Sequence, residues 1–442
     1  MGLKRFPNAA NVSAKILGET LKFPNGRFAP NRLMKASMSE RMANFSPDDL
    51  KKHGLPTEAL LNAYDKWGHG QFGMIITGNV LVCPTNLEAA GNAIIFKEGD
   101  STERRDLYSE WARKMKQDGA LAIMQISHGG RQSSVQVNPT PFGASDVELK
   151  TDPPGSRYGK PIALTTEQVK TEVVDRFAYA ARYAYECGWD GVELHGAFGY
   201  LLTQFTSPTT NKRTDKYGGS LENRNQVIME IYDEIKRLVP VNSGFLVGIK
   251  TNAKEFQNEG TTVADAKAFC EAYEEKKFDF VELTAGTAEK FSFDYENDEM
   301  RRREALFAEF ADEIRPVFIN TVVYLTGGFR TVGAMVEAIQ RNTTQGIGLG
   351  RPVTAEPDLP KKILNGNVLS AIQDVFDPKN VIHQIMGSGT QIQEMGKKSW
   401  KEAGGNVMDQ ISDFSDEKVV AEFGQKLAMM FGGAKKTVEA KA

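Results

Sequence analysis

The sequence predicts an α/β protein built as a (β/α)8 barrel, preceded by an N-terminal hairpin and followed by a C-terminal helical extension. Three observations carry that expectation. Between about residues 30 and 364, short apolar runs alternate strictly with helical stretches. The runs are apolar throughout, as strands buried on both faces of a parallel sheet must be. The alternation repeats eight times, the number that closes a barrel. The long insertions, 129–164, 197–220 and 286–302, all follow strands, on the face where such barrels keep their chemistry. An open doubly wound sheet is the weaker alternative, because the glycine-rich signals come late in the chain. The expected division is 1–365 for the barrel and 366–442 for an extension without β/α rhythm, mostly helical, with a frayed polar tail after Gly432.

The elements follow in order. Pro24-Asn25-Gly26 marks a hairpin turn, since Asn-Gly supplies positive φ. Strands are expected at Arg32–Met38, Gly73–Val80, Leu121–Ser127, Gly191–His195, Phe245–Thr251, Phe278–Ala285, Thr321–Leu325 and Gly346–Leu349. Helices are expected at Glu58–Trp67, Glu103–Gln117, Glu167–Glu186, Leu221–Val239, Val263–Lys276, Arg303–Ile314 and Thr331–Arg341, with a closing helix from Pro360. Thr165 and Gln168 stand at capping-box spacing, which fixes the start of the third helix.

Composition narrows the function. Of 442 residues, 25% are charged and 40% hydrophobic, which describes a folded chain rather than a disordered one. Lys plus Arg (54) and Asp plus Glu (57) nearly cancel, so no basic excess exists for nucleic acid. No apolar run reaches membrane-spanning length, and Met1–Phe6 is no signal peptide. Cys83, Cys187 and Cys270 are too few and too scattered for a disulfide framework, a zinc site or an iron–sulfur cluster. Five histidines without a close pair make a histidine metal site an unattractive reading. The expectation is a cytoplasmic protein that acts on a small molecule, binds neither nucleic acid nor membrane, and is open to oligomerisation.

Chemistry-bearing residues gather at predicted strand ends. Gly346-Ile-Gly348-Leu-Gly350 places its third glycine one residue early for a dinucleotide fingerprint and ends the β/α array instead of opening one. Gly327-Gly328-Phe329-Arg330 after strand seven and Gly350-Arg351-Pro352 after strand eight pair open backbone with cations, a phosphate-site pattern. Gln125 and Lys250 point polar groups into an apolar barrel and need partners. Neighbouring backbone would serve Gln125, an internal carboxylate would serve Lys250, and a bound electron-rich heterocycle would serve both. His195 and Tyr200 form a possible donor pair over a substrate, against the plainer reading of a satisfied structural histidine. His128 and Arg131 either reach a ligand or anchor the third loop, and Arg301-Arg302-Arg303 reads as a solvated charge run.

The segment from Val192-Glu193-Leu194-His195 through Tyr200 to Thr214–Arg224 resembles the Old Yellow Enzyme family of FMN-dependent NAD(P)H oxidoreductases. The likeness spans about residues 8–365. It takes in Asn31–Met34, Gly73–Asn79, Gln125 with His128 and Gly130-Arg131, Gly248-Ile249-Lys250, Arg303-Glu304-Ala305 with Phe307, Gly327–Arg330 and Gly346–Arg351. The resemblance implies noncovalent FMN with NAD(P)H as reductant. Ser37, Met38 and Ser39 would line one flavin edge, Gly78 would let the ring lie close to strand two, and Gln125 would bond the pyrimidine edge. Lys250 would face N1, and Gly327, Gly328, Gly350 and Arg351 would hold the phosphate. His195 would polarise the carbonyl of an activated C=C acceptor and Tyr200 would protonate the adjacent carbon.

Three departures qualify the resemblance. Phe198 stands where the family has a second carbonyl donor, Ser39 where one subgroup has Cys, and no cysteine cluster follows the barrel. Two rivals remain at this level: an FMN-binding barrel with weak or no ene-reductase turnover, diaphorase-like or partner-binding, and an aldolase-type barrel using Lys250 as a Schiff-base lysine.

Overall fold

A computed structural model of the chain describes residues 3–7, 12–149, 158–287, 308–377 and 380–439, with side chains through 430. Eight parallel strands form a closed ring: β1 (Leu33–Lys35), β2 (Met74–Ile76), β3 (Leu121–Ser127), β4 (Gly191–Gly196), β5 (Leu246–Asn252), β6 (Phe280–Thr284), β7 (Val322–Thr326) and β8 (Gly346–Leu349). Each pairs with the next, and β8 returns to β1. The barrel expected from the eightfold alternation is therefore the fold.

Period-two alternation sorts the side chains. Ala122, Met124 and Ile126 of β3 face outward into the layer shared with the helices, while Leu121 and Ile123 join the inner core. The same split holds for Val247 and Ile249 against Leu246, for Val281 and Leu283 against Phe280, and for Val323 and Leu325 against Val322 and Tyr324. The antiparallel hairpin Leu21–Lys22 with Phe28–Ala29 adds Leu21, Phe23 and Ala29 to that inner core and so plugs the barrel floor. Gly26, at φ 91°, makes its turn.

The flanking helices are α1 (Glu58–Gly68), α2 (Thr102–Met115), α3 (Asp175–Glu186), α4 (Leu221–Leu238), α5 (Val263–Lys276), α6 (residues 308–314), α7 (Val332–Gln340) and α8 (Leu359–Leu364). Hydroxyls start five of them: Thr57, Ser101, Ser220, Thr262 and Thr331 accept from backbone amides of the first turn. Each such cap is worth about 1 kcal/mol. Thr165 and Gln168 form the expected capping box, but a π-helical stretch, Val169–Val174, separates that first turn from α3. The second predicted strand also breaks: Thr77-Gly78-Asn79 leaves the ladder, and Val80–Leu81 then pairs beside β3. The start of the sixth helix and the Arg301–Arg303 run lie outside the described residues.

Two helices follow the barrel, α9 (Val381–Gly396) and α10 (Glu417–Glu439), the latter reaching past Gly432, where the sequence suggested fraying. Asn62 of α1 donates to the Gly396 carbonyl at 3.3 Å, and Thr354 donates to Gln391 at 2.7 Å, which fastens α9 across the barrel. Phe376, Phe414, Phe423 and Leu427 form a separate small core beneath α10. Among the described residues, no helix is long and apolar enough to cross a membrane.

Candidate active site

The inward face that carries apolar residues low in the barrel carries polar ones at its carboxyl end. On β3, Leu121 and Ile123 are followed in register by Gln125 and Ser127; on β4 the inward set is Gly191, Glu193 and His195. On β5 it is Leu246, Gly248 and Lys250, and on β6 Phe280 and Glu282. Above this polar layer opens a cleft of about 1460 Å³. Ser37, Met38, Ser39, Gln125, His195, Phe198, Tyr200, Lys250, Gly327, Gly328, Gly350 and Arg351 all line it, residues separated by more than 300 positions in the chain. Side chains of α9 and α10, among them Ile385 and Phe423, complete its wall.

Gly78 has a different neighbour from the one expected. It does not line the cleft: its amide donates to Glu40 at 2.7 Å, and a Cβ there would meet Glu40 Oε2 at 2.1 Å and the Met38 carbonyl at 2.5 Å. The space at this glycine is taken by the protein's own carboxylate.

Gln125 and Lys250 also find partners inside the chain. Ser37 donates to Gln125 Oε1 at 2.7 Å, and Gln125 Nε2 donates to Glu193 Oε2 at 2.7 Å. Lys250 Nζ meets Glu282 Oε1 at 2.8 Å, with both side chains almost fully buried. The internal carboxylate is thus real, and the burial of these polar groups does not by itself demand a heterocycle. Burial, then the neighbouring Glu282 charge, pushes the Glu193 carboxyl well above the usual range. Burial opposes ionisation of Glu282 too, but there the Lys250 ammonium prevails and holds it low.

His195 is buried, and burial followed by the Lys250 charge lowers its pKa to about 3, so the imidazole is neutral. Ser127 Oγ lies 3.0 Å from Nδ1. With the serine as donor, the proton sits on Nε2, which makes His195 a hydrogen-bond donor. The Tyr200 ring is 4.4 Å from the imidazole, centroid to centroid. Burial first and Glu88 next push the Tyr200 hydroxyl well above the ordinary phenol range, so it keeps its proton. Glu88 sits at the centre of a network: Arg41 donates to it at 2.5 Å, Asn79 at 2.9 Å and Ser39 lies at 2.8 Å. Burial would raise this carboxyl, but Arg41 and the hydrogen bonds outweigh it and hold it at about 2. Ser39 is therefore engaged by Glu88 and Asn79.

Phe198 adopts φ 57°, a conformation rare for an aromatic residue. Gln132 Nε2 donates to its carbonyl at 2.8 Å, its amide donates to Asn252 at 3.4 Å, and its ring lies 5.5 Å from Lys250 Nζ. His128 anchors the third loop by accepting from the Gly130 amide, and Arg131 donates to the Glu148 carbonyl, so loop anchoring is the role the geometry gives both.

Sequence reasoning missed Ser127, Glu193, Glu282, Glu88 and Arg41. The first three were within reach, because alternation from Leu121 and Phe280, and from His195 back to Glu193, points them inward. Arg41 and Glu88 come from irregular loops and carry no periodic signal.

Buried histidines make stability acid-sensitive, and two of them are shifted far enough to dominate. His195 and His128 are each lowered by burial to about 3 from 6.5. Above 6.5 both are neutral in folded and unfolded chains alike; below it only the unfolded chain takes up protons. Unfolding free energy measured by urea titration is expected to fall from pH 6.5 towards 3, by at most about 1.4 kcal/mol per pH unit for each imidazole. His128→Asn should flatten that slope, and an unchanged slope would refute the assignment.

Comparison with known proteins agrees with this architecture. Residues 27–369 match the NADH:flavin oxidoreductase / NADH oxidase family. The chain is 41% identical over 391 residues to an NADH-dependent flavin oxidoreductase of Aspergillus parasiticus, covering 88% of this chain and 87% of that one. It is 31% identical to an NADH-dependent flavin oxidoreductase of Hypocrea jecorina, over 80% of this chain and 90% of the relative. Among solved structures, the old yellow enzyme from Trypanosoma cruzi superimposes with a TM-score of 0.67 at 18% identity, over 81% of this chain and 94% of that one. Morphinone reductase gives 0.64 at 22% identity, over 82% and 91%. The matching stretch contains every strand of the barrel and every residue that the sequence singled out for the cleft, and the chain belongs to the NADH:flavin oxidoreductase / NADH oxidase family.

Proposed function

We propose that the cleft binds FMN and that the protein transfers a hydride from a nicotinamide nucleotide to the activated C=C of an enone- or enal-type acceptor. The family's cofactor is FMN and its reductant NAD(P)H. The names of the two relatives favour NADH here. The residues fit such a group. Gly327 and Gly328, at φ 140° and 90°, bring backbone without side chains to the end of β7, and Arg330 and Arg351 line the same end of the cleft. A phosphate suits that combination. Gln125 and Lys250 present an amide and an ammonium to an electron-rich ring edge, with Ser37, Met38 and Ser39 beside them.

Bound FMN supplies a two-electron carrier between nicotinamide and acceptor. The remaining work falls to the chain. His195 donates from Nε2 to the acceptor's carbonyl oxygen and draws electron density from the conjugated carbon. Tyr200 holds the proton taken by the neighbouring carbon, and the Arg41–Glu88 pair keeps the phenol in place. The observation that carries this reading is His195, backed by Ser127 and set beside the Tyr200 ring in the wall of one cleft. Purified protein is expected to be yellow, to bleach with NADH under argon, and to regain colour on adding cyclohexenone. Protein that takes up no FMN would overturn the proposal.

A second reading, an FMN barrel with little ene-reductase turnover, is favoured by one residue. Phe198 offers the carbonyl no hydrogen bond, and its ring occupies the cleft beside Lys250. Phe198→Asn suits the positive φ better and restores a donor. Enone turnover in that variant is expected to rise by up to about 10²-fold, the lower end of what one such donor contributes. No change in turnover or phenol affinity would place Phe198 outside the acceptor site.

A further inference from the structure

Charge arithmetic in the polar layer under the cleft does not close with every group ionised. Among the described residues, Lys250 is the one ammonium bonded there, and two carboxyl groups, Glu193 and Glu282, flank it from β4 and β6, both fully buried. Each spends one oxygen on a fixed donor: Glu193 Oε2 on Gln125 and Glu282 Oε1 on Lys250. The other oxygens, Glu193 Oε1 and Glu282 Oε2, are buried; the Thr326 hydroxyl lies within reach of Glu282, whereas nothing but the facing carboxyl group stands beside Glu193 Oε1. The two carboxyl groups are themselves within hydrogen-bonding reach of each other.

We propose that Glu193 and Glu282 share one proton, Glu282 as the carboxylate paired with Lys250 and Glu193 as a neutral acid donating to it, so that the two act as positioning residues that set the charge Lys250 presents to the cleft. A hydrogen on Glu193 Oε1 serves both of these oxygens at once. Two ionised carboxylates against one ammonium would leave an uncompensated charge in a layer closed to water, a far greater penalty than holding one proton. Among the described residues, nothing else nearby neutralises the second acid. His195, two residues along β4, is neutral. Lys35 also feels Glu282, but it lies on the outer face of β1, where Nζ donates to the Ala36 and Ile76 carbonyls and Glu40 is its nearer carboxylate. The opposed shifts of the two acids, Glu193 up and Glu282 down, agree with this division.

The row Glu193–Glu282–Lys250 is therefore neutral as a whole. A second protonation would make it positive, and removal of either acid alone leaves one carboxylate for one ammonium. Only this last point, applied to flavin potential, rests on the FMN reading above; the proton itself is visible without cofactor.

The test is infrared spectroscopy of apo and FMN-loaded protein at pH 7, with Glu40→Gln as background for the other buried acid. Wild type is expected to show a protonated carboxyl C=O stretch that Glu193→Gln abolishes. Glu282→Gln should abolish it too, because Glu193 then ionises against Lys250. Survival of every acid band in Glu193→Gln, or absence of any such band in wild type, overturns the proposal; the second outcome can be read even if the variants fail to fold. In loaded protein, the double variant Glu193→Gln/Glu282→Gln leaves Lys250 uncompensated and should raise the flavin midpoint potential, whereas either single variant should leave it nearly unchanged. Failure to load FMN, with the band behaviour intact, would count against the cofactor reading and leave the shared proton standing.

Discussion

His195→Ala is expected to lower kcat/KM for enone reduction by about 10²–10³-fold, equivalent to about 2.7–4 kcal/mol of transition-state stabilisation. The size of the effect follows from isolation. On the proposed reading, Phe198 stands where a second donor would, so the acceptor's oxygen would depend on one N–H and its loss would be uncompensated. Steady-state assays with cyclohexenone should show the decrease chiefly in kcat, because the hydrogen bond strengthens as charge builds on the oxygen. FMN content should be unchanged, since His195 is assigned to the acceptor. A decrease below tenfold would mean that carbonyl polarisation comes from elsewhere, and Gln132 on the cleft wall would be the next residue to replace. Because the imidazole is already neutral down to about pH 3, the enzyme's acid limb should not report an ordinary histidine titration near 6.5.

Lys250→Met is expected to destabilise the fold by about 3–5 kcal/mol at neutral pH, the usual result of removing one partner from a buried ion pair. The remaining Glu282 carboxylate is fully buried and would have no cation. The sign of the pH dependence follows. Lys250 holds the Glu282 pKa below its usual value, so the pair stabilises the wild type above the ordinary carboxyl range and that contribution is lost as pH falls. In Lys250→Met, Glu282 protonates readily, so the deficit relative to wild type should shrink as pH falls towards about 4.5. Chemical denaturation at several pH values measures this directly, and a deficit independent of pH would show that lost packing, not lost charge, dominates. Lys250→Arg keeps the charge and should recover most of the stability.

Both predictions depend on a polar layer that was only half legible in the linear chain. Gln125 and Lys250 stood out because polar residues close apolar runs, and the family resemblance gave them a cofactor to face. Glu193 and Glu282 follow the same rule, yet each sits inside its strand, where a carboxyl reads as an interruption until its partner is known. Lys250 and Glu282 are 32 residues apart, and only the β5–β6 register places them side by side. Gly78 was marked as a close approach, and in the fold the group that approaches it is Glu40 from the loop after β1.

The barrel was written locally. Eight apolar runs, their caps and their turn glycines each depend on neighbours within a few residues, and a period of two decides which side chains look inward without knowledge of the rest of the chain. Gln125, Lys250, His195 and the glycines after the last two strands stood out by their place at strand ends, while Ser37, Met38, Ser39 and the residue roles came from the family resemblance. Pairing was not written locally. Whether Lys250 meets a carboxylate or a ligand, whether Tyr200 leans on Glu88, and how α9 and α10 come to wall the cleft depend on strand register and loop closure. Those are set by packing between segments tens to hundreds of residues apart, and Coulomb energy in a buried layer turns on distances of a few ångströms that no spacing along one chain encodes.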